Sequence, residues 1–270
     1  MHLVEAGPAR APVTVILEAG SFGLSADWAV VQERLAAKGV RSLAYDRAGL
    51  GLSDPGPSPR DGHAIAFDLE RLLAAIGEEG PFVASGHSMA GLHAHLFAAR
   101  NRERIKGLVL VDAATPQTTD DQVARLSVHL YRHFATAVAG AARLGLLAPM
   151  SGLAKGMGLP AAPTAAKRWA FTRKSHNHAC ADEVRHWLVA AQQAKAAGPL
   201  DPAWPVAVVT AGPTRGRKTL KTAQAEPARR SAIGYVENVL EAGHATLLTG
   251  RHAEAVVRGV LHVLQAASAA

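Results

Sequence analysis

A single cysteine, Cys180, stands in the 270-residue chain, so no internal disulfide can form and nothing points to an oxidising compartment. The opening residues, MHLVEAGPARAP, hold no apolar stretch of signal-peptide length, and a cytoplasmic location is the expectation. Long apolar runs are also missing. The greasiest stretch, 134 to 150, is broken by Gly140, Arg143, Gly145 and Pro149, so it is not expected to span a bilayer, although it can form a greasy surface. Aromatic residues make up only 5% and are not interleaved with basic runs, no nucleic-acid motif occurs, and nucleic acid is not an expected partner. Acidic residues are in deficit, 22 against 29 lysines and arginines, for a net charge of +7 and a pI near 9.9. Much of the excess lies between Thr115 and Pro199, where ten basic residues face four acidic ones. Solvated helix faces are the plain reading of that excess; an anionic substrate or a lipid surface is the alternative.

With 49% hydrophobic residues the chain can bury a large core. Short β-like runs (13 to 19, 40 to 46, 81 to 86 and 106 to 114) alternate with helical periods (28 to 39, 64 to 77 and 91 to 100). Such alternation predicts an α/β fold with a mostly parallel, doubly wound sheet covered on both faces, its function carried by loops at the strand C-terminal ends. From Thr115 to about Pro202 the strand pattern stops and helices separated by Gly and Pro breakers take over; β-like runs return at 205 to 212 and 235 to 243, before a closing helix at 253 to 267. The expected division is a core of residues 1–114 and 203–270, with residues 115–202 inserted as a helical lid. No repeat and no long linker is present. The N-terminus leaves room for little sheet before the Val13 strand.

The most informative stretch is PFVASGHSMAGLHAHLF, residues 81 to 97. It reads as a strand running through Gly86-His87-Ser88-Met89-Ala90-Gly91 into a helix. A sharp strand-to-helix turn holds a serine hydroxyl clear of its neighbours, and needs small residues two before and two after it, here Gly86 and Ala90. The N–H of Met89 opens the helix, where it can stabilise an oxyanion. Three further signatures follow in order: Glu18-Ala19-Gly20-Ser21-Phe22-Gly23 after the first long strand, Asp46-Arg47-Ala48-Gly49-Leu50-Gly51-Leu52-Ser53 after the next, and Gly243-His244 after the last. The Asp46 turn reads as structural, with Asp46 bonding local N–H groups.

Together these features resemble the α/β-hydrolase fold family over essentially the whole chain. The resemblance implies Ser, acid and His in that chain order, on loops at one sheet edge, and no cofactor or metal. It makes Ser88 the nucleophile and His244 the base, and implies an oxyanion hole from the N–H groups of Met89 and Ser21, with Phe22 a weaker candidate than Ser21. The family's usual acid position, after the strand that follows the lid, reads Gly212-Pro213-Thr214-Arg215-Gly216-Arg217-Lys218 and holds no carboxylate. Some members use the end of the strand after the elbow helix, which here carries Asp112. A Ser–His dyad with a water or backbone partner is the alternative, and Glu226 a remoter one; Glu237 and Glu241 lie on the strand leading to His244. The implied chemistry is hydrolysis of a small, possibly anionic, carboxylic ester or lactone through an acyl-enzyme. Relatives that open epoxides or cleave haloalkanes carry Asp at the elbow. C–C bond hydrolysis, acyl transfer, cofactor-free perhydrolysis and non-hydrolytic ligand binding remain open on the same fold.

Other features compete for notice. His87 flanks the nucleophile and is expected to pack beside the site. The His176-Asn177-His178-Ala179-Cys180 cluster, with His186 beyond, offers zinc-type ligands but repeats no zinc spacing; Asp182 and Glu183 read as acids of a helix's first turn. Phe134, Leu144, Leu146, Leu147, Met150, Met157, Trp169 and Phe171 either line an apolar pocket or form the lid's own core. The basic segment from Arg215 to Lys221 reads as a loop at the active-site edge, able to attract a carboxylate or phosphate or simply facing solvent.

Overall fold

The computed structural model describes residues 1–120, 122–149 and 158–269; Met150, Met157 and the residues between them lie outside it. Seven strands form one sheet: β1 (Leu3–Ala6), β2 (Thr14–Glu18), β3 (Ser42–Tyr45), β4 (Phe82–His87), β5 (Ile105–Val111), β6 (Val206–Ala211) and β7 (Gly234–Val239). Their order is β1-β3-β2-β4-β5-β6-β7, with β1 antiparallel at one edge and the rest parallel. The first of them, β1, is a four-residue strand paired antiparallel to β3 ahead of the parallel set. The central strands are uniformly buried, as parallel strands covered on both faces must be.

Alternate residues of each strand feed two cores. Val15, Leu17, Val83, Val109 and Val209 pack beneath α1 (Ala29–Ala37) and α9 (Ala253–Ala269). Ile16, Leu43, Phe82, Ala84 and Leu108 face α2 (Gly62–Ala75) and α3 (Ala90–Arg100). The period-two alternation fixes the register, since a one-residue slip would send each set to the wrong core. Asp61 starts α2 by accepting the Ala64 N–H at 2.9 Å, a side-chain cap on an otherwise unsatisfied donor.

Between β5 and β6 lie α4 (Gln122–Arg143), α5 (Ala161–Phe171), α6 (Lys174–Arg185) and α7 (Trp187–Ala196). The last of these contributes Ala190, Ala191 and Ala194 to the core under α2 and α3. After β6 comes α8 (Lys218–Arg230), a helix that the sequence pattern does not announce: Gly216 stands just before it and Pro227 inside it.

The chain leaves β2 in one direction to β3 and returns to place β4 on the other side, so the strand order switches between β2 and β4. Ligand crevices of open α/β sheets form outside the strand C-termini at such a switch. Pairing Glu18 with Gly86, and His87 with Val111, sets the loops after β2, β4 and β5 side by side.

Close approach of strand and helix at Gly86 is the tightest constraint on that edge. A Cβ there would meet the Ala90 carbonyl oxygen at 2.4 Å. Gly86→Ala should therefore lower stability by about 1–3 kcal/mol through overpacking, read as a fall in the urea midpoint; an unchanged midpoint would mean that strand and helix can separate without cost.

Candidate active site

Ser88 sits at the turn from β4 to α3 with φ 57°, a left-handed conformation that costs a non-glycine residue energy and is held only by surrounding bonds. Its N–H donates to Val111 O at 3.0 Å, and its own carbonyl accepts from Ala114 N at 2.8 Å and Gly91 N at 3.1 Å. Met89 is the N-cap of α3, so its amide stands at the helix end where N–H groups lack intrahelical partners. Among the described residues only two other non-glycines have positive φ, Phe22 (55°) and Asp112 (41°), and both flank the same site.

The loop after β2 presses on the serine: a Cβ on Gly20 would lie 2.7 Å from Ser88 Cβ. Its carbonyls are held from behind by Arg47, which donates to Ala19 O and, at 3.0 Å, to Gly20 O. Because the peptide is trans, engaging Gly20 O turns the Ser21 N–H away from the guanidinium. The Ser21 hydroxyl is engaged separately with Tyr131 OH at 2.9 Å.

Arg47 is itself buried and fork-bonded to Glu183 on α6, Nε to Oε1 at 2.9 Å and Nη2 to Oε2 at 2.7 Å. Glu18 lies 3.5 Å away on the other side and holds His93 Nδ1 of α3 at 2.7 Å. From the sequence alone, Asp182 and Glu183 read as acids of a helix's first turn. They instead fall in the last turn of α6, because the helix already starts at Lys174, and both are buried on partners outside it. Asp182 accepts from Ser58 Oγ at 2.7 Å and Arg60 N at 3.2 Å.

Asp112, just past β5, accepts from His244 Nδ1 at 2.6 Å through Oδ2. Its other oxygen receives Lys221 Nζ and Gln224 Nε2, both at 3.2 Å, and Ala211 N at 3.3 Å. Burial alone would raise this carboxyl, but the His244 bond and charge, Lys221 and the Ala211 N–H outweigh it and hold the group well below the usual carboxylate range. Lys221 thus belongs to α8 and is committed to Asp112, not to a solvent-facing loop. Nothing in the local sequence signals that partnership across more than a hundred residues. The alternative carboxylates in the sequence are engaged elsewhere: Glu226 with Arg230 at 3.4 Å, Glu237 with Arg258 and Glu241 with Arg251.

Ser88 and His244 both line one cavity of about 790 Å³, with Ser21, His87 and Asp112. No hydrogen bond joins Ser88 Oγ to His244, although both line the same cavity, and nucleophile–base contacts of this kind commonly tighten when substrate binds. His244 rests instead against His87, ring centroids 4.6 Å apart, and His87 Nε2 lies 3.1 Å from the His244 carbonyl oxygen. His87 therefore braces the His244 loop, a role that its position beside the serine suggests only in outline. Burial, reinforced by the neighbouring His244, pushes the His87 imidazole down to about 4, so it stays neutral near pH 7.

Other parts of the cavity wall come from Ala124, Ser127, Val128 and Tyr131 of α4, from Trp187, Leu220 and Leu248, and from the basic residues Lys167 and Arg217. Phe134, Leu144, Leu146 and Trp169 are exposed instead, Leu147 is buried, and Phe171 is half-buried. In the His176 cluster, His176 Nδ1 accepts from Gly51 N at 3.2 Å, and Cys180 Sγ lies 3.7 Å from its other nitrogen. No group of His, Cys, Asp or Glu suited to a metal ion occurs among the described residues. Asp46 accepts from Ser25 N at 2.8 Å and Leu52 N at 3.0 Å, closing its own turn.

A family model described as alpha/beta hydrolase fold matches residues 13–215. An AB hydrolase superfamily protein of Gibberella zeae is 35% identical over 132 residues, which are 46% of this chain and 40% of that protein. The first curated relatives are matched over 40% of their length or less. Among solved structures, a thermophilic esterase from Thermogutta terrifontis superposes with TM-score 0.70 at 20% identity, over 98% of this chain and 93% of its own. An enol-lactonase from Burkholderia xenovorans gives TM-score 0.66 at 18% identity, over 98% and 96%. Epoxide hydrolases also match, one from Acinetobacter nosocomialis with TM-score 0.74 at 18% identity over 97% and 85%. At these identities the likeness is one of fold.

Two buried histidines set a pH limit on the fold. His87 and His176 are both pushed down to about 4, chiefly by burial. A depressed folded value means that their stabilisation is complete above about 6.5, the unfolded value, and is lost as pH falls towards 4. Each should cost about 2 kcal/mol of folding stability between pH 8 and pH 5. Denaturant midpoints measured at both pH values should fall less in His87→Gln and His176→Gln than in the parent; parallel falls would rule these residues out as the cause.

Proposed function

The chain belongs to the α/β-hydrolase fold family, and on that premise we propose that it is a serine hydrolase of small carboxylic esters or lactones, acting through Ser88, His244 and Asp112. The observation that carries the reading is the 2.6 Å contact from His244 Nδ1 to Asp112, in one cavity with a left-handed Ser88. With Nδ1–H donated to the carboxylate, Nε2 is left as the acceptor that a serine proton requires. In this reading His244 takes the Ser88 proton as Oγ attacks the carbonyl carbon, and Asp112 stabilises the imidazolium. The N–H groups of Met89 and Ser21 bind the carbonyl oxygen as it becomes an oxyanion. His244 returns the proton to the departing alkoxide, leaving an acyl-Ser88. Water, deprotonated by the same ring, then releases the acid.

Serine at the elbow, in place of a carboxylate, favours ester over epoxide chemistry. Residues 115–202 are proposed as the lid, with α4 as the part that roofs the cavity. An anionic substrate is supported by Arg217: of the two basic residues lining the cavity, Lys167 is paired with Asp27, whereas Arg217 has no carboxylate partner among the described residues.

A fluorophosphonate probe should label the folded protein at Ser88 and leave Ser88→Ala unlabelled; an unlabelled parent would favour ligand binding without hydrolysis. Asp112→Asn should lower kcat by roughly 10⁴ with the fold retained, measured on the best substrate from a panel of neutral and anionic short-chain esters. Near-normal turnover would remove Asp112 from the mechanism.

A further inference from the structure

The two carboxylate oxygens of Asp112 have unequal duties. Oδ2 takes the His244 Nδ1–H at 2.6 Å, whereas Oδ1 gathers three donors: Ala211 N at 3.3 Å, Gln224 Nε2 at 3.2 Å and Lys221 Nζ at 3.2 Å. A carboxylate oxygen offers two lone pairs, which the two uncharged donors are enough to fill. The lysine adds what they lack, a full positive charge. Its side chain is only 10% exposed, and its Nζ also donates to Ala211 O at 2.6 Å, at the C-terminal end of β6. Among the described residues Asp112 is its only ion-pair partner. Lys221 and Gln224 stand three apart on one face of α8, so the helix meets the carboxylate with both.

We propose that Lys221 is a positioning residue of the Ser88, His244 and Asp112 set: it locks the Asp112 carboxylate with Oδ2 towards His244, and its charge opposes protonation of that ring, so that His244 stays a free base into mildly acidic solution. The inference rests on the hydrolase reading above and deepens it. A carboxylate beside an imidazole favours the imidazolium, and an ammonium on the far oxygen of the same carboxylate offsets part of that attraction. A general base must be unprotonated before it can take the Ser88 proton, so the offset matters as pH falls. The result is a weaker base at neutral pH that remains available at lower pH. The other charged or titratable groups around the cavity do not supply this effect. His87, packed on His244, is pushed down to about 4 and stays neutral. Asp27 and Lys167 are paired with each other. Burial pushes the Tyr131 phenol of α4 up, so it is uncharged. Arg217 lines the cavity but is exposed, where solvent screens its charge.

The pH dependence of fluorophosphonate labelling at Ser88 tests this without knowledge of the substrate, with circular dichroism at each pH to confirm the fold. Labelling rates of the parent between pH 5.5 and 8 should fall on the acid side as His244 becomes protonated. In Lys221→Met and Lys221→Gln that limb should move up by about one pH unit, so that labelling at the foot of the curve drops roughly tenfold. Lys221→Arg should keep the parent's limb, and Gln224→Met, which removes an uncharged donor from the same oxygen, should move it less than half as far. The inference is overturned by an unmoved limb in a folded charge-free variant, or by an equal shift in Lys221→Arg or Gln224→Met. Failure of both charge-free variants to fold also overturns it, since the lysine would then serve the fold and not the base. A parent that is unreactive at every pH defeats the hydrolase reading itself, whereas a reactive parent with unmoved variants defeats this inference alone.

Discussion

A buried guanidinium underlies the arrangement of this site. Arg47 has five N–H donors and is buried from solvent, and its neighbourhood supplies an acceptor for each: two Glu183 oxygens, the Ala19 and Gly20 carbonyls, and Glu18 at longer range. Taking such ions out of water is costly, and removing one partner of a buried pair typically loses about 3–5 kcal/mol because the other charge is stranded. The return is geometric. One planar group fixes the loop after β2 from behind, attaches it to α6, and through Glu18 and His93 reaches the helix that follows Ser88. The helix α6 and the turn at Ser88 are thereby held in one frame.

The strain in the molecule is concentrated where that frame is strongest. Phe22, Ser88 and Asp112 occupy left-handed backbone on three neighbouring loops, while the other positive-φ residues among those described are glycines. A conformation of this kind costs of order 1–3 kcal/mol per residue and survives only when its surroundings leave no alternative. Ser88 is bonded through both its N–H and its carbonyl, and Asp112 through both carboxylate oxygens. The bonds that hold these residues in place also decide which way their side chains face.

Much of the scaffold was legible because it is written in periodicity. Alternating β-like and helical stretches specify a parallel sheet, and chain order alone brings the ends of β2, β4 and β5 to one edge. Gly86 and Ala90 announce a tight turn because nothing larger fits. The remainder depends on pairs that no local pattern encodes. Arg47 and Glu183 are 136 residues apart, and Asp112 and Lys221 are 109 apart; neither pairing can be read from one partner alone. The helix α8 was hidden by Gly216 and Pro227, which in most settings mark a loop. Asp182 and Glu183 misled for a related reason: acids favour a helix start, and only burial against Arg47, Ser58 and Arg60 accounts for them near its end.

Cys180, the only sulfhydryl, is sealed on α6 against Leu24, Leu50 and Ala170, with Phe22 of the neighbouring loop beside it. Burial and the nearby Glu183 also push its ionisation well above the ordinary thiol range. An alkylating reagent therefore finds neither access nor thiolate while the helices between β5 and β6 stay seated. The chain carries an internal clock: the rate at which that sulfur becomes modified counts the moments when α6 lifts off the core.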